Sequence, residues 1–210
     1  AAMQQAAQGG AALAVFPELG LTGYTCSDLF LQQPLLDAAE QGLRDILRAS
    51  ETLELVAVVG LPVRVDGALY NCAAVVCHGA LLGLVPKTHL PNYAEFYELR
   101  HFTPAPAETR SVTLCGASVP FGTGLLFRCR EMPDFCLGVE ICEDLWAPLP
   151  PSTRHALAGA TVLANLSASD ETVGKAEYRR QLVGQQSARL LSAYLYADAG
   201  HGESTTDMVF

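Results

Sequence analysis

Short apolar runs alternate along this chain with stretches of helical periodicity, and that alternation narrows the possible folds more than any other feature. AALAVF (11–16) reads as a buried strand, and PLLDAAEQGLRDILRAS (34–50) as an amphipathic helix. Its Leu35, Leu36, Ala39, Leu43, Ile46 and Leu47 share one stripe, and Pro34 suits a first helical turn. LELVAVVG (53–60) predicts a strand. LYNCAAVVC and ALLGLVPK flank His78-Gly79, which reads as a two-residue hairpin turn. FCLGVEI (135–141) and ATVLANLS (160–167) are further strands, with a short helix between them that Ser152 caps and that runs through 158. AEYRRQLVGQQSARLLSA (176–193) predicts a helix and AYLYADA (193–199) a strand. Pro104, Pro106 and Pro120, with the glycines between 116 and 124, mark a loop-rich middle. Strand–helix alternation with antiparallel hairpins means an α/β fold with a mixed sheet, read as one domain.

Composition sets the surroundings of that fold. Of 210 residues 50% are apolar and only 17% charged, against about 25% in an ordinary soluble domain, and the net charge is −9. A deeply buried core with an acidic skin argues against disorder and against a nucleic-acid partner, which asks for clustered Lys and Arg. No apolar stretch is long and unbroken enough for a membrane span. The seven cysteines are odd in number and lack C-x-x-C spacing, so they read as reduced thiols of a cytoplasmic protein, mostly small core residues, with no metal site. AAMQQAAQGG reads as the tail of a helix stopped by Gly9-Gly10, and TTDMVF as a strand just starting, so the chain is read as a fragment cut at both ends.

The dinucleotide fingerprint, the phosphate-binding P-loop and the G-x-S-x-G elbow are all absent. Asn165-Leu166-Ser167 matches a glycosylation sequon, but in a buried strand it is read as unused. What remains are three polar insertions just past strand ends, where open α/β sheets place their sites. Glu18 follows AALAVF and Pro17, Lys87 follows ALLGLVP, and Cys142 follows FCLGVEI. Taken singly, a turn carboxylate, a solvated lysine and a core cysteine explain them. Three unlike reactive groups at equivalent places weaken that explanation.

The blocks FPELGLTGYTCSDLF, PKTHLPNYAEFYELRHF, VEICEDLWAPLPPS, ATVLANLSASDETVGKAEYRR and GESTTD carry a resemblance across nearly the whole chain. They resemble the nitrilase, or carbon–nitrogen hydrolase, superfamily, and within it most closely the glutaminase domains of bacterial glutamine-dependent NAD(+) synthetases. The resemblance implies a four-layer α-β-β-α sandwich with mixed sheets, here truncated at both ends. It implies a Glu18–Lys87–Cys142 triad, with Cys142 the nucleophile, Glu18 the general base and Lys87 the third member. It places Tyr24, Tyr93, Glu143, Trp146, Ser169 and Lys175 around glutamine, with Glu143 a candidate for the substrate ammonium and Lys175 for its carboxylate. Glu95 and Glu98 both lie where relatives carry a supporting carboxylate, and that choice stays open. No cofactor is expected in this domain. ATP and Mg²⁺ belong to a synthetase domain that these residues do not contain, a partner to which ammonia would pass. A homo-oligomer is also implied.

The spacing adds an electrostatic expectation. Cys142 lies between Glu140, Glu143 and Asp144, carboxylates that should raise its thiol pKa unless backbone N–H groups and Lys87 oppose them. Two alternatives accompany the glutaminase reading: a stand-alone amidase acting on another small amide, and a non-catalytic scaffold, against which the intact Glu, Lys and Cys speak.

Overall fold

A computed structural model describes residues 1–203 and 208–210. Ser204 to Asp207 of the GESTTD block lie outside the described residues, as does the first part of the strand expected at TTDMVF; Met208 to Phe210 form no strand.

Two mixed sheets lie face to face. The first contains β1 (Leu13–Val15), β2 (Val56–Val65), β3 (Ala68–Cys77), β4 (Ala80–Pro86), β5 (Arg110–Leu114) and β6 (Ala117–Phe121), in the order β1-β2-β3-β4-β6-β5. The second contains β7 (Leu126–Arg128), β8 (Cys136–Ile141), β9 (Val162–Leu166) and β10 (Ala193–Ala197), in the order β10-β9-β8-β7. β1 pairs parallel to β2, and β8, β9 and β10 run parallel to one another, while hairpins supply the antiparallel pairs.

Burial on both faces explains the near-continuous apolar strands. Along β2, Ala57, Val59, Leu61 and Val63 face the layer formed by α1 (Ala2–Gln8) and α2 (Gln33–Ser50), meeting Met3, Leu43, Ile46 and Leu47. Val58 faces the other way and joins Ala73, Val75 and Val85 against Leu137, Val139, Ile141, Ala164 and Leu166 of the second sheet. Outside that sheet, α3 (Pro151–Leu157) packs on β8 and α4 (Lys175–Leu190) on β10. The result is the four-layer α-β-β-α sandwich.

Local chemistry accounts for the joints. His78 and Gly79 both have positive φ, 47° and 77°, as the mirror-image turn of a two-residue hairpin requires. Gly9 ends α1 and Gly10 follows at φ 81°.

Four expectations need correction. The middle predicted to be loop-rich holds the β5–β6 hairpin, in which Pro120 pairs with Ser111; its Pro and Gly residues masked the strand pattern. The strand expected to stop at Gly60 continues to Val65. Ser152 is not a cap: α3 starts at Pro151, with Pro150 as the flanking residue, and Ser152 is wholly buried inside its first turn. The last helix stops at Leu190, because Leu191 turns into the left-handed region at φ 51°, and the following strand ends at Ala197.

Candidate active site

Glu18, Lys87 and Cys142 converge from three strand ends. Glu18 lies in the turn after β1, where Pro17 breaks the strand and Leu19 takes a left-handed φ of 51°. Gly60 of β2 makes this turn possible: a Cβ there would come within 2.4 Å of the Leu19 nitrogen and 2.6 Å of the Pro17 oxygen. Glu18 is buried, its side chain wholly excluded from solvent, and its carboxylate takes three donors. Asn71 Nδ2 and Lys87 Nζ both reach Oε1 at 2.6 Å, and the Ala168 N–H reaches Oε2 at 3.1 Å.

Lys87 immediately follows β4. Its N–H donates to the Asn71 carbonyl at 2.8 Å, and its carbonyl accepts from the Ala105 N–H at 2.9 Å, so the backbone on both sides of the side chain is held. Its ammonium, fully excluded from solvent, bridges Glu18 Oε1 and Glu98 Oε1, each at 2.6 Å. Burial works against that charge, but Glu18, Glu98 and Cys142 overcome it and hold the Lys87 pKa well above its ordinary value. Glu98 Oε1 also accepts from the Tyr24 hydroxyl at 2.7 Å. Of the two candidate carboxylates the structure therefore brings Glu98, not Glu95, to Lys87, while Glu95 stays half-buried.

Cys142 begins a 3-10 turn, Cys142–Leu145, at the end of β8 and adopts φ 44°. A non-glycine residue in this region costs about 1–2 kcal/mol, so surrounding contacts must hold it there. The residue is 5% exposed, and burial first, then Glu18, push its thiol pKa well above the ordinary value; Lys87, Ser167 and the Ala168 N–H oppose them.

That balance corrects the expectation drawn from spacing. Glu140 does not face the sulfur: its carboxylate accepts the Ser152 N–H at 2.7 Å and the Tyr194 hydroxyl. Asp144 folds back on backbone, accepting from Ile141 N at 3.0 Å, His89 N at 2.8 Å and Thr88 N at 3.1 Å. It straps the turn after β4 to the turn after β8, and burial followed by the Glu140 charge pushes its pKa up to about 8. The carboxylate that acts most on the thiol is the one furthest away in sequence, Glu18.

Three of the predicted glutamine-pocket residues, Tyr24, Tyr93 and Lys175, gather around Phe96. Tyr24 and Tyr93 flank Phe96 edge-on, and the Tyr93 hydroxyl donates to Glu143 at 3.1 Å. Burial leads the upward shifts of Glu143 and of Tyr93, the latter to about 12. Trp146 stacks on Tyr178, and Lys175 Nζ lies 5.7 Å from the Trp146 ring centre and 5.5 Å from that of Phe96 while paired with Asp170. Ser169 is buried, and its N–H donates to Asp198 Oδ1 at 2.8 Å. Asn71 and Asn165 were missed by the sequence reading, although Asn165 stood in the sequon, and Asp144 was read only as a charge near Cys142. Asn165 and Ser167 are both fully buried, which closes that sequon to modification.

These features, two stacked mixed sheets with a cysteine, a lysine and a glutamate brought together at their strand ends, define a class, and the chain belongs to the carbon-nitrogen hydrolase family, whose profile matches residues 1–201. More particularly, it is 55% identical over 201 residues to the glutamine-dependent NAD(+) synthetase of Mycobacterium tuberculosis, covering 96% of this chain and 30% of that protein. Against the enzyme of the same name from Saccharomyces cerevisiae the identity is 32% over 200 residues, covering 90% of this chain and 27% of that protein. The chain thus spans about a third of the length of these relatives. A crystal structure of a glutamine-dependent NAD(+) synthetase from Cytophaga hutchinsonii superposes with a TM-score of 0.82 at 32% identity, covering 94% of this chain and 31% of that one. A nitrilase-superfamily amidase from Nesterenkonia shares the fold, with a TM-score of 0.70 at 21% identity over 94% of this chain and 66% of that one. Among the described residues no helix is long and apolar enough to cross a membrane.

Proposed function

We propose that this chain hydrolyses the side-chain amide of L-glutamine and that the ammonia released serves an ATP- and Mg²⁺-dependent synthetase domain that amidates nicotinic acid adenine dinucleotide. The observation that carries the reading is the Glu18–Lys87–Glu98 bridge, excluded from solvent beside a strained, buried Cys142. The names of the relatives support the choice of glutamine and of the synthetase partner.

The thiol is pushed up by burial, so it rests protonated and the base must act during attack. Glu18 takes the Cys142 proton as the sulfur bonds to the amide carbon. The oxygen then carries negative charge, which the Lys87 ammonium and the Glu143 N–H stabilise. Glu18 returns the proton to the departing nitrogen, the C–N bond breaks, and ammonia leaves a thioester on Cys142. Water attacks that thioester, Glu18 takes its proton and returns it to the sulfur, and glutamate departs. In this reading Glu143, bonded to Tyr93, receives the substrate ammonium, and Lys175 receives the carboxylate by turning from Asp170.

Glutamate release from L-glutamine tests this, with Cys142→Ala as the inactive comparison. A glutamine-analogue electrophile should modify Cys142. Modification of Cys26 or Cys136 instead, or turnover confined to other small amides, would overturn the reading.

A further inference from the structure

On the face of the second sheet that meets α3 and α4, a set of buried polar side chains takes no part in the chemistry above. Asn165 lies at its centre. Its Oδ1 accepts the Cys142 N–H at 3.0 Å and its Nδ2 donates to the Cys142 carbonyl at 3.4 Å. One carboxamide thus grips the backbone on both sides of the Cys142 Cα, the residue forced to φ 44°. A buried strand residue that hydrogen-bonds another residue's backbone substitutes for a ladder partner that the departing chain has lost.

The grip is itself anchored. Asn165 Nδ2 also donates to the Tyr194 hydroxyl at 3.2 Å, and that hydroxyl donates to Glu140 Oε1. Glu140 Oε2 accepts the Ser152 N–H at 2.7 Å, and Ser152 Oγ accepts from Gln186 Nε2 at 2.9 Å. Glu140, Asn165, Ser152 and Gln186 are each 3% exposed or less. Glu140 is a buried carboxylate that forms no ion pair among the described residues. Burial raises its pKa while Tyr194, Ser152 and Asn165 pull it down. Such an arrangement is retained only if every member is satisfied, because a buried acceptor left open is strongly unfavourable.

We infer that Asn165 is a positioning residue that holds the Cys142 backbone in its left-handed conformation, and that Tyr194 and Glu140 fix Asn165 from behind. The carboxamide orientation follows from the partners. With Oδ1 taken by an N–H and Nδ2 by a carbonyl and a phenol, a flipped amide would set donor against donor. Removing the grip lets Cys142 relax toward ordinary φ, which carries the sulfur away from Glu18 and Lys87, while the Asp144 bonds to Ile141, Thr88 and His89 still hold the rest of the turn, Glu143 and Trp146 included. This inference rests on Cys142 as the nucleophile proposed above.

Asn165→Leu, Tyr194→Phe and the double variant test it in the full chain. Two readouts are needed: steady-state glutamine hydrolysis, and the rate at which iodoacetamide alkylates Cys142, followed by peptide mass. Asn165→Leu should lower kcat by about 10²-fold, the scale of an ångström-sized misplacement, with KM unchanged and alkylation slowed in parallel. Tyr194→Phe removes one oxygen and should lower kcat by roughly threefold to tenfold. The double variant should be no slower than Asn165→Leu alone, because both changes break one chain of contacts. Additive losses, a rise in KM without a fall in kcat, or alkylation at the parent rate would overturn the inference. If Asn165→Leu does not fold, Tyr194→Phe carries the same kcat, KM and alkylation criteria. Alkylation requires no substrate, so a parent chain inactive on glutamine would overturn the function proposed above and still leave the grip measurable.

Discussion

Lys87 Nζ donates to Glu18 Oε1 at 2.6 Å with both side chains wholly excluded from solvent. Glu98 accepts a second bond from the same ammonium at 2.6 Å, so one buried cation separates two buried carboxylates.

Lys87→Met should therefore damage both stability and chemistry. Without the ammonium, Glu18 and Glu98 face each other with no charge between them, and breaking a buried pair in this way costs about 3–5 kcal/mol. Urea unfolding reads that loss. In variant protein that folds, glutamate release should fall by about 10²–10³-fold, the loss expected when one oxyanion donor is removed. A stable, active variant would show that the bridge has neither role.

Gly60→Ala should disturb the site from a distance. The added methyl meets backbone atoms of Pro17, Glu18 and Leu19, none of which can swing aside as a side chain could. Destabilisation of about 1–3 kcal/mol is expected, with a fall in kcat because the shifted turn carries Glu18. Thermal unfolding together with kcat checks both parts.

The stability of the folded chain should fall as pH rises through the range in which Glu98 titrates. Burial, aided by the Glu18 charge, pushes the Glu98 pKa from 4.5 up to about 7, although Lys87 and the Tyr24 hydroxyl pull it down. Between those values the folded chain keeps a proton that the unfolded chain has released, so its stability declines with pH. Glu98→Gln should flatten that slope between about pH 5 and pH 7 in urea unfolding midpoints. An unchanged slope would assign the titration to another group.

Asp144→Asn should loosen the strap between the Lys87 and Cys142 turns. An amide can offer one acceptor oxygen where the carboxylate offers two, and its NH₂ would face the N–H groups of Ile141, Thr88 or His89. The expected cost is about 1–3 kcal/mol, measured by thermal unfolding.

Much of the scaffold could be read from residue pattern. The two-sided burial of β2, β3 and β8 makes them continuous apolar runs, and α2 carries its stripe openly. The β5–β6 hairpin was hidden because Pro120 and the surrounding glycines break the same pattern that reveals the others. Glu18, Lys87 and Cys142 were legible because each is a polar residue directly beyond an apolar strand. Ser152 was misassigned because a serine after two prolines looks like a cap, whereas its hydroxyl is used by Gln186, 34 residues away.

The sequence by itself determined the local terms: which segments extend, which coil, where chains turn, and which three reactive groups terminate strands. Only the tertiary structure decided how the charges pair. Glu140, Glu143 and Asp144 are Cys142's neighbours along the chain, yet strand alternation and the 3-10 turn send Glu140 to Ser152 and Asp144 to backbone N–H groups, while Glu18, far away in sequence, governs the thiol. Likewise Glu98 rather than Glu95 meets Lys87. The reason is physical: an interaction between buried groups depends on separation and desolvation in space, and both are set by sheet register and layer packing, which no spacing along the chain encodes.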